Sequence, residues 1–281
     1  MKFRDILVVL DSPADADQRF AVALRLASAH GARLVGFSPL DLLETPRPAL
    51  ELVGYGEAML TDRETEQPGL AAGESEAGFR AALAAAGVEG QWIGGDADPP
   101  TALLRLAHHA DLVVFRQPDP ESPKSGRMAE LIEQVLLQAG RPLLLVPYAG
   151  RFDTVGQNVL IAWTETRESA RAVHDAMPLL AGAKQVTALT IVDGRHAPVG
   201  AEPPAAELAR HLERHGINAT AQRSVTEDIP DADALLSYTC DIGADLLVMG
   251  GYGHSPMRER VLGGVTRSLL RHMTVPVLMS H

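Results

Sequence analysis

Apolar positions in this chain take two forms, and the two alternate from end to end. Short unbroken runs such as Ile6–Leu10 fit strands buried on both faces of a parallel sheet. Longer stretches carry apolar residues three and four apart, as in Phe20, Leu24 and Ala27 beside Val22 and Leu26, and fit helices laid over that sheet. In the first half the pattern predicts strands at Ile6–Leu10, Arg33–Ser38, Gln91–Ile93, Leu112–Phe115 and Leu143–Pro147. It predicts helices at Asp15–His30, Glu74–Ala86, Pro100–His108 and Met128–Ala139. The second half repeats the order, with strands at Val159–Trp163, Val186–Val192, Ala219–Arg223, Leu246–Gly250 and Val275–Met279. Its helices are Ser169–Leu180, Ala205–His215, Asp231–Cys240 and Val265–Arg271.

The repetition extends to the residues. Asp5-Ile-Leu-Val-Val-Leu-Asp11 aligns with Asn158-Val-Leu-Ile-Ala-Trp-Thr164 at an offset of 153. Ala110-Asp-Leu-Val-Val114 aligns with Ala244-Asp-Leu-Leu-Val248 at an offset of 134, which also carries Gly140–Val146 onto Thr274–Ser280. The chain therefore reads as two tandem domains, residues 1–149 and 155–281, joined by a linker within Pro147–Gln157 short enough for packed rather than freely swinging units. The first unit is longer, chiefly across Glu44–Ala77, whose prolines and glycines read as a surface loop. Five strands alternating with four helices in each unit imply an α/β fold: two doubly wound, open, parallel, Rossmann-like sheets with right-handed crossovers.

Composition narrows the classes. Hydrophobic residues make up 46% and aromatics only 4%, so the core is aliphatic. A net charge of −11 leaves no global basic footprint for nucleic acid. No apolar stretch approaches the roughly 18 residues of a membrane helix, and the start of the chain, MKFRDILVVLDSP, reads as a strand rather than a signal peptide. The single cysteine, Cys240, forms no intrachain disulfide and fits a reducing compartment, so a cytoplasmic location is expected. With Leu236 on the same helical face, Cys240 reads as a buried, inert thiol.

In doubly wound sheets ligands bind beyond the carboxyl ends of the strands. Beyond the fourth strand of the second unit, glycines fall at Gly250, Gly253, Gly263 and Gly264, and a helix begins near Val265. Gly250 and Gly253 would let the backbone bend and a ligand approach closely. Gly263 and Gly264 precede a helix whose first amides lack internal partners and, with the dipole, favour phosphate; Thr266 could add a hydroxyl. Arg258, Arg260, Arg267 and Arg271 outnumber Glu259 there, against the sign of the whole chain. His254 lies inside the loop, where it could meet a phosphate, though Ser255-Pro256 beside it also fits the plain start of a short helical turn. In the first unit the 134 offset replaces these glycines with Arg116, Asp119, Ala129 and Glu130, so that unit should not bind in this mode.

The spacing Gly250, Gly253, Gly263 resembles the G-x2-G-x9-G of nucleotide-binding universal stress proteins, with Gly264 where Ser or Thr is usual. The closing Arg271-His-Met-Thr-Val-Pro-Val-Leu-Met resembles the family's last helix and strand, and the tandem likeness spans the chain. The resemblance implies strand order 3-2-1-4-5 and dimers that pair through their last strands, here an internal pseudo-dimer of the two units, with further homodimerisation left open. It implies ATP or another adenine nucleotide, with a divalent ion such as magnesium, across the ends of the first and fourth strands. Carried onto this chain, that site would draw on Ala162, Thr164 and Val192, then Met249, Gly250, Gly253 and His254, then Gly263, Gly264, Val265 and Thr266. The acid that the family places near the ribose is Thr164 in the second unit, with Glu165 beside it, and survives as Asp11 in the first.

Other candidates read as structural. His211 and His215 share a helical face but lack a third ligand, and His108 and His109 suit a helix end. Asp111 and Asp245 precede equivalent strands and are expected to fix the helix-to-strand turn. No catalytic constellation emerges. The leading expectation is a stress-response regulator that binds an adenine nucleotide and acts on unknown protein partners. A slow ATP hydrolase at the same loop and an interaction module without nucleotide are the alternatives.

Overall fold

The unbroken apolar runs of the two halves form one ten-stranded sheet. The computed structural model describes residues 2–11, 18–39, 68–94, 98–193, 202–226, 229–252 and 264–281. In the first half β1 is Asp5–Val9, β2 Arg33–Ser38, β3 Gly90–Gly94, β4 Leu112–Arg116 and β5 Leu143–Val146. Its helices are α1 Gln18–His30, α2 Pro68–Ala86, α3 Pro99–Ala107 and α4 Ser125–Gln138. In the second half β6 is Asn158–Ala162, β7 Gln185–Asp193, β8 Ala219–Thr226, β9 Leu246–Gly250 and β10 Val277–Ser280. Its helices are α5 Arg167–Leu180, α6 Ala206–Arg214, α7 Asp231–Asp241 and α8 Gly264–His272.

The strand order is β3-β2-β1-β4-β5-β10-β9-β6-β7-β8. Each half is thus a parallel sheet of order 3-2-1-4-5, as the family resemblance implied. The halves join where β5 pairs antiparallel with β10, in the register Val277↔Leu145, Leu278↔Leu144, Met279↔Leu143. Both strands are fully buried, and left unpaired either would be an apolar, aggregation-prone edge. The internal pseudo-dimer removes both edges.

Alternation along the strands sends side chains to two cores. Ile6, Val8, Val114, Ile161 and Leu278 meet α1, α2, α5 and α6 on one face through Phe20, Phe79, Ala172 and Leu212. Leu7, Val9, Val113, Leu160 and Leu247 meet α3, α4, α7 and α8 on the other through Leu103, Ile132, Leu235 and Leu269. Polar ties also cross between the halves. The buried Gln117 Nε2 donates to the Leu270 carbonyl at 2.9 Å, and Arg171 donates to the Gly140 carbonyl at 3.0 Å.

Asp111 and Asp245 are structural, but their side chains reach the first strand rather than their own helix-to-strand turn. The Arg4 and Asp5 N–H groups donate to Asp111 Oδ2 at 2.6 and 3.1 Å. The Gly156, Gln157 and Asn158 N–H groups donate to Asp245 at 3.0, 3.1 and 3.0 Å. Each carboxylate ties the start of a fourth strand to the start of its first and satisfies amides outside the ladder.

Three expectations change. Helix α2 begins at Pro68, so the end of the Glu44–Ala77 insertion is helix and not loop. The insertion's earlier part, like Asp15–Asp17, lies outside the described residues. Strand β8 continues past Arg223 to Thr226, pairing with β7 throughout. As an edge strand it exposes one side, so its end lacks an apolar run. Cys240 is exposed, not buried. The buried face of α7 is Ala232, Leu235 and Thr239, and Cys240 stands one residue, about 100° of helix, further round. Among the described residues no helix is long and apolar enough to cross a membrane.

Candidate functional site

A cavity of about 260 Å³ opens beyond the carboxyl ends of β6, β7 and β9, beside the first turns of α5, α7 and α8. Seven expected residues line it: Ala162, Thr164, Met249, Gly250, Gly264, Val265 and Thr266. Gly253, His254 and Gly263 lie outside the described residues. Val192 does not line the cavity. Alternation in β7 turns Leu189 and Ile191 towards this face, with Val186 and Ala188 on the other, and Val192 shares their parity. Trp163, Thr166, Glu168, Asp231, Leu235 and Tyr252 complete the wall. The parity of Ala162 and Met249 could have indicated Leu189 and Ile191. Asp231, the first residue of α7, carried only that helix-start position as a signal.

The turn from β6 into α5 is shaped by its own polar groups. Thr166 caps α5 from an extended backbone, its Oγ1 accepting from the Ser169 N–H at 3.3 Å. The Thr164 and Thr166 hydroxyls lie 3.3 Å apart. Glu165, at φ 50, is exposed and is not part of the cavity wall. Glu168 is buried. Burial pushes its carboxyl up, but the hydrogen bond and charge of Arg167 with other nearby donors outweigh it and hold the group below its ordinary value.

Gly250 and Gly264 are glycines for different reasons. A Cβ at Gly250 would come within 2.6 Å of the Ser169 nitrogen and 2.7 Å of the Glu168 carbonyl carbon. Close packing of β9 on α5 therefore demands glycine, and no positive φ is involved, contrary to the bend expected from sequence. A Cβ at Gly264 would meet nothing within 4 Å among the described residues. Tyr252, at φ 60, closes one side of the cavity, its ring edge-on to His281 at 6.3 Å. Burial and the nearby Glu133 charge push its phenol well above the usual range.

At the matching place in the first half, the described residues pack closely. Arg116, the counterpart of Gly250, reaches Asp11 at 3.6 Å, and Arg19, fully buried, reaches it at 2.8 Å. The space left among Asp11, Arg116, Gln117, Asp119, Lys124 and Ser125 is about 10 Å³. That is at the limit for one water, roughly 10–15 Å³. Burial raises the Asp11 carboxyl, but the two guanidinium groups outweigh it and hold it below its ordinary value. Elsewhere, the His211 and His215 rings contact each other edge-on at 4.8 Å, and no group of three or more His, Cys, Asp or Glu among the described residues could hold a metal.

Comparison with known proteins agrees with this architecture. A family model described as the Universal stress protein family matches residues 2–147 and 156–281. The curated protein Universal stress protein Slr1230 of Synechocystis is 27% identical over 157 residues, covering 54% of this chain and 51% of that protein. The chain thus spans about half the length of that relative. A solved universal stress protein from Archaeoglobus fulgidus superposes with a TM-score of 0.66 at 15% identity, over 98% of this chain and 95% of the other. A putative universal stress protein from Pseudomonas aeruginosa gives 0.58 at 15% identity, over 99% and 93%. At such identities these likenesses speak to the fold.

Proposed function

The chain belongs to the universal stress protein family through both of its halves, and from that premise we propose a stress-response regulator whose second half binds one adenine nucleotide while its first half is structural. The observation that carries this reading is the contrast between equivalent places: about 260 Å³ of open cavity in the second half, against about 10 Å³ plugged by Arg116 in the first.

The cavity's chemistry suits such a ligand. Ala162, Leu189, Leu235, Met249 and Val265 offer apolar walls to a flat base. The Thr164 and Thr166 hydroxyls offer donors and acceptors to a sugar. The described part of α8 presents its N-terminal residues Gly264, Val265 and Thr266 to the cavity, the side of a helix whose dipole favours phosphate. Magnesium would arrive on the phosphates, since the described residues hold no cluster for it. Binding would then alter contacts with protein partners by favouring the liganded state.

ATP at about one hundred times its dissociation constant is expected to stabilise the protein by roughly 2.7 kcal/mol. For a chain of this size that raises the melting temperature by about 5 °C or more, read by differential scanning fluorimetry. Failure of ATP, ADP and AMP alike to shift melting would sink the proposal and leave the interaction module. Steady phosphate release by the purified protein would instead favour the hydrolase.

A further inference from the structure

We propose that Asp231 orients the bound nucleotide by accepting hydrogen bonds from donor groups at its nucleoside end, an inference that rests on the nucleotide reading above. The polar groups of the cavity wall are not equivalent. Thr164 and Thr166 face each other at 3.3 Å, and Thr166 also accepts from Ser169. Glu168 is buried at 5% exposure and engaged by Arg167. Thr266 is buried at 4% exposure. Asp231 is exposed, lines the cavity, and makes no hydrogen bond or ion pair with any other described residue.

A carboxylate only accepts hydrogen bonds, and it repels phosphate. An adenine nucleotide is correspondingly polarised. Its ribose hydroxyls and exocyclic amine donate, while its phosphates only accept and carry the negative charge. Asp231 begins α7 and Gly264 is the first described residue of α8, and both line the cavity from two different helices. The dipole of α8 favours the phosphates at its N-terminal side. Asp231 disfavours the reversed pose and gives the donor edge an acceptor. A charge-assisted hydrogen bond of this kind is about twice as strong as a neutral one.

The alternative role for an acid in a first helical turn is to complement the helix dipole. That role would change stability without changing which nucleotide is preferred. Selectivity therefore separates the two.

The test is calorimetric titration of the full chain and of Asp231→Ala with ATP, with 2′,3′-dideoxy-ATP, which lacks the ribose donors, and with inosine triphosphate, which lacks the amine. The substitution is expected to weaken ATP about tenfold, and to weaken by less than twofold whichever analogue already lacks the donor Asp231 meets. The two analogues thus distinguish sugar from base as the source. Unchanged or tighter ATP binding by Asp231→Ala would overturn the inference, as would equal weakening of all three ligands. If the wild-type chain binds none of them, the nucleotide reading itself fails and takes this inference with it. Circular dichroism of the variant, matching the wild type, checks that the fold is retained.

Discussion

Asp11→Ala is expected to cost about 3–5 kcal/mol of stability, although the family resemblance puts an acid at this position near a ribose. In this chain Asp11 holds Arg19, fully buried at 2.8 Å, and Arg116 at 3.6 Å. Removing Asp11 takes a carboxylate away from two guanidinium groups, one of them fully buried, and breaking a buried ion pair costs more than the net worth of the pair. The pH dependence follows from the lowered Asp11 carboxyl, whose burial is outweighed by the two guanidinium groups. A carboxyl depressed on folding stabilises fully above its unfolded value, near 4, and loses that contribution as pH falls through the lower folded value. The stability gap between wild type and variant, read from urea unfolding, should be full at pH 7 and shrink below about pH 4. Nucleotide affinity should not change. A loss under about 1 kcal/mol, the scale of a surface pair, would show that Asp11 is not a structural keystone of the first half.

Gly264→Glu is expected to abolish most nucleotide binding while leaving the fold intact. It writes the first half's Glu130 into the equivalent place in the second. Among the described residues nothing lies within 4 Å of the Cβ position, and the glycine's φ is not positive, so a side chain meets no backbone strain. An acid at a helix start adds about 0.3–1 kcal/mol of favourable dipole interaction, so the melting temperature of the free protein should hold or rise slightly. A phosphate seated on the first amides of α8 would face that new carboxylate. Two charges about 5 Å apart at an effective dielectric of about 20 repel by roughly 3 kcal/mol, a loss on the order of a hundredfold in affinity. Gly264→Ala, which adds bulk without charge, should bind nearly as the wild type does. If Gly264→Glu binds ATP normally, phosphate does not sit at this helix.

The backbone architecture was largely legible because it depends on buried runs and repetition. The offsets of 153 and 134 located both copies, and the apolar Leu143–Val146 and Val277–Met279 segments are the strands that meet across the pseudo-dimer. Of the seven expected residues that share the cavity, Ala162, Thr164, Met249 and Gly250 lie at or just past strand ends, and Gly264, Val265 and Thr266 lie on α8. What the pattern missed depends on three-dimensional parity and contact. Val192 and Ile191 are both β-branched and apolar, and only the pairing of β7 decides which faces the ligand side. Cys240 and Thr239 are neighbours of similar size, and one helical step separates exposed from buried. The need for glycine at position 250 comes from α5, some eighty residues earlier in the chain, and no local spacing reveals it. Arg116 looked like a mere loss of glycine, yet with Arg19 it makes a filled, ion-paired plug.

The central claim is one open site and one plugged site per chain. Native mass spectrometry of the full-length protein with excess ATP tests it most directly. The account predicts a single nucleotide per chain, retained in Asp11→Ala and lost in Gly264→Glu. Two nucleotides per chain would contradict the plugged first half, and none would contradict the open second one.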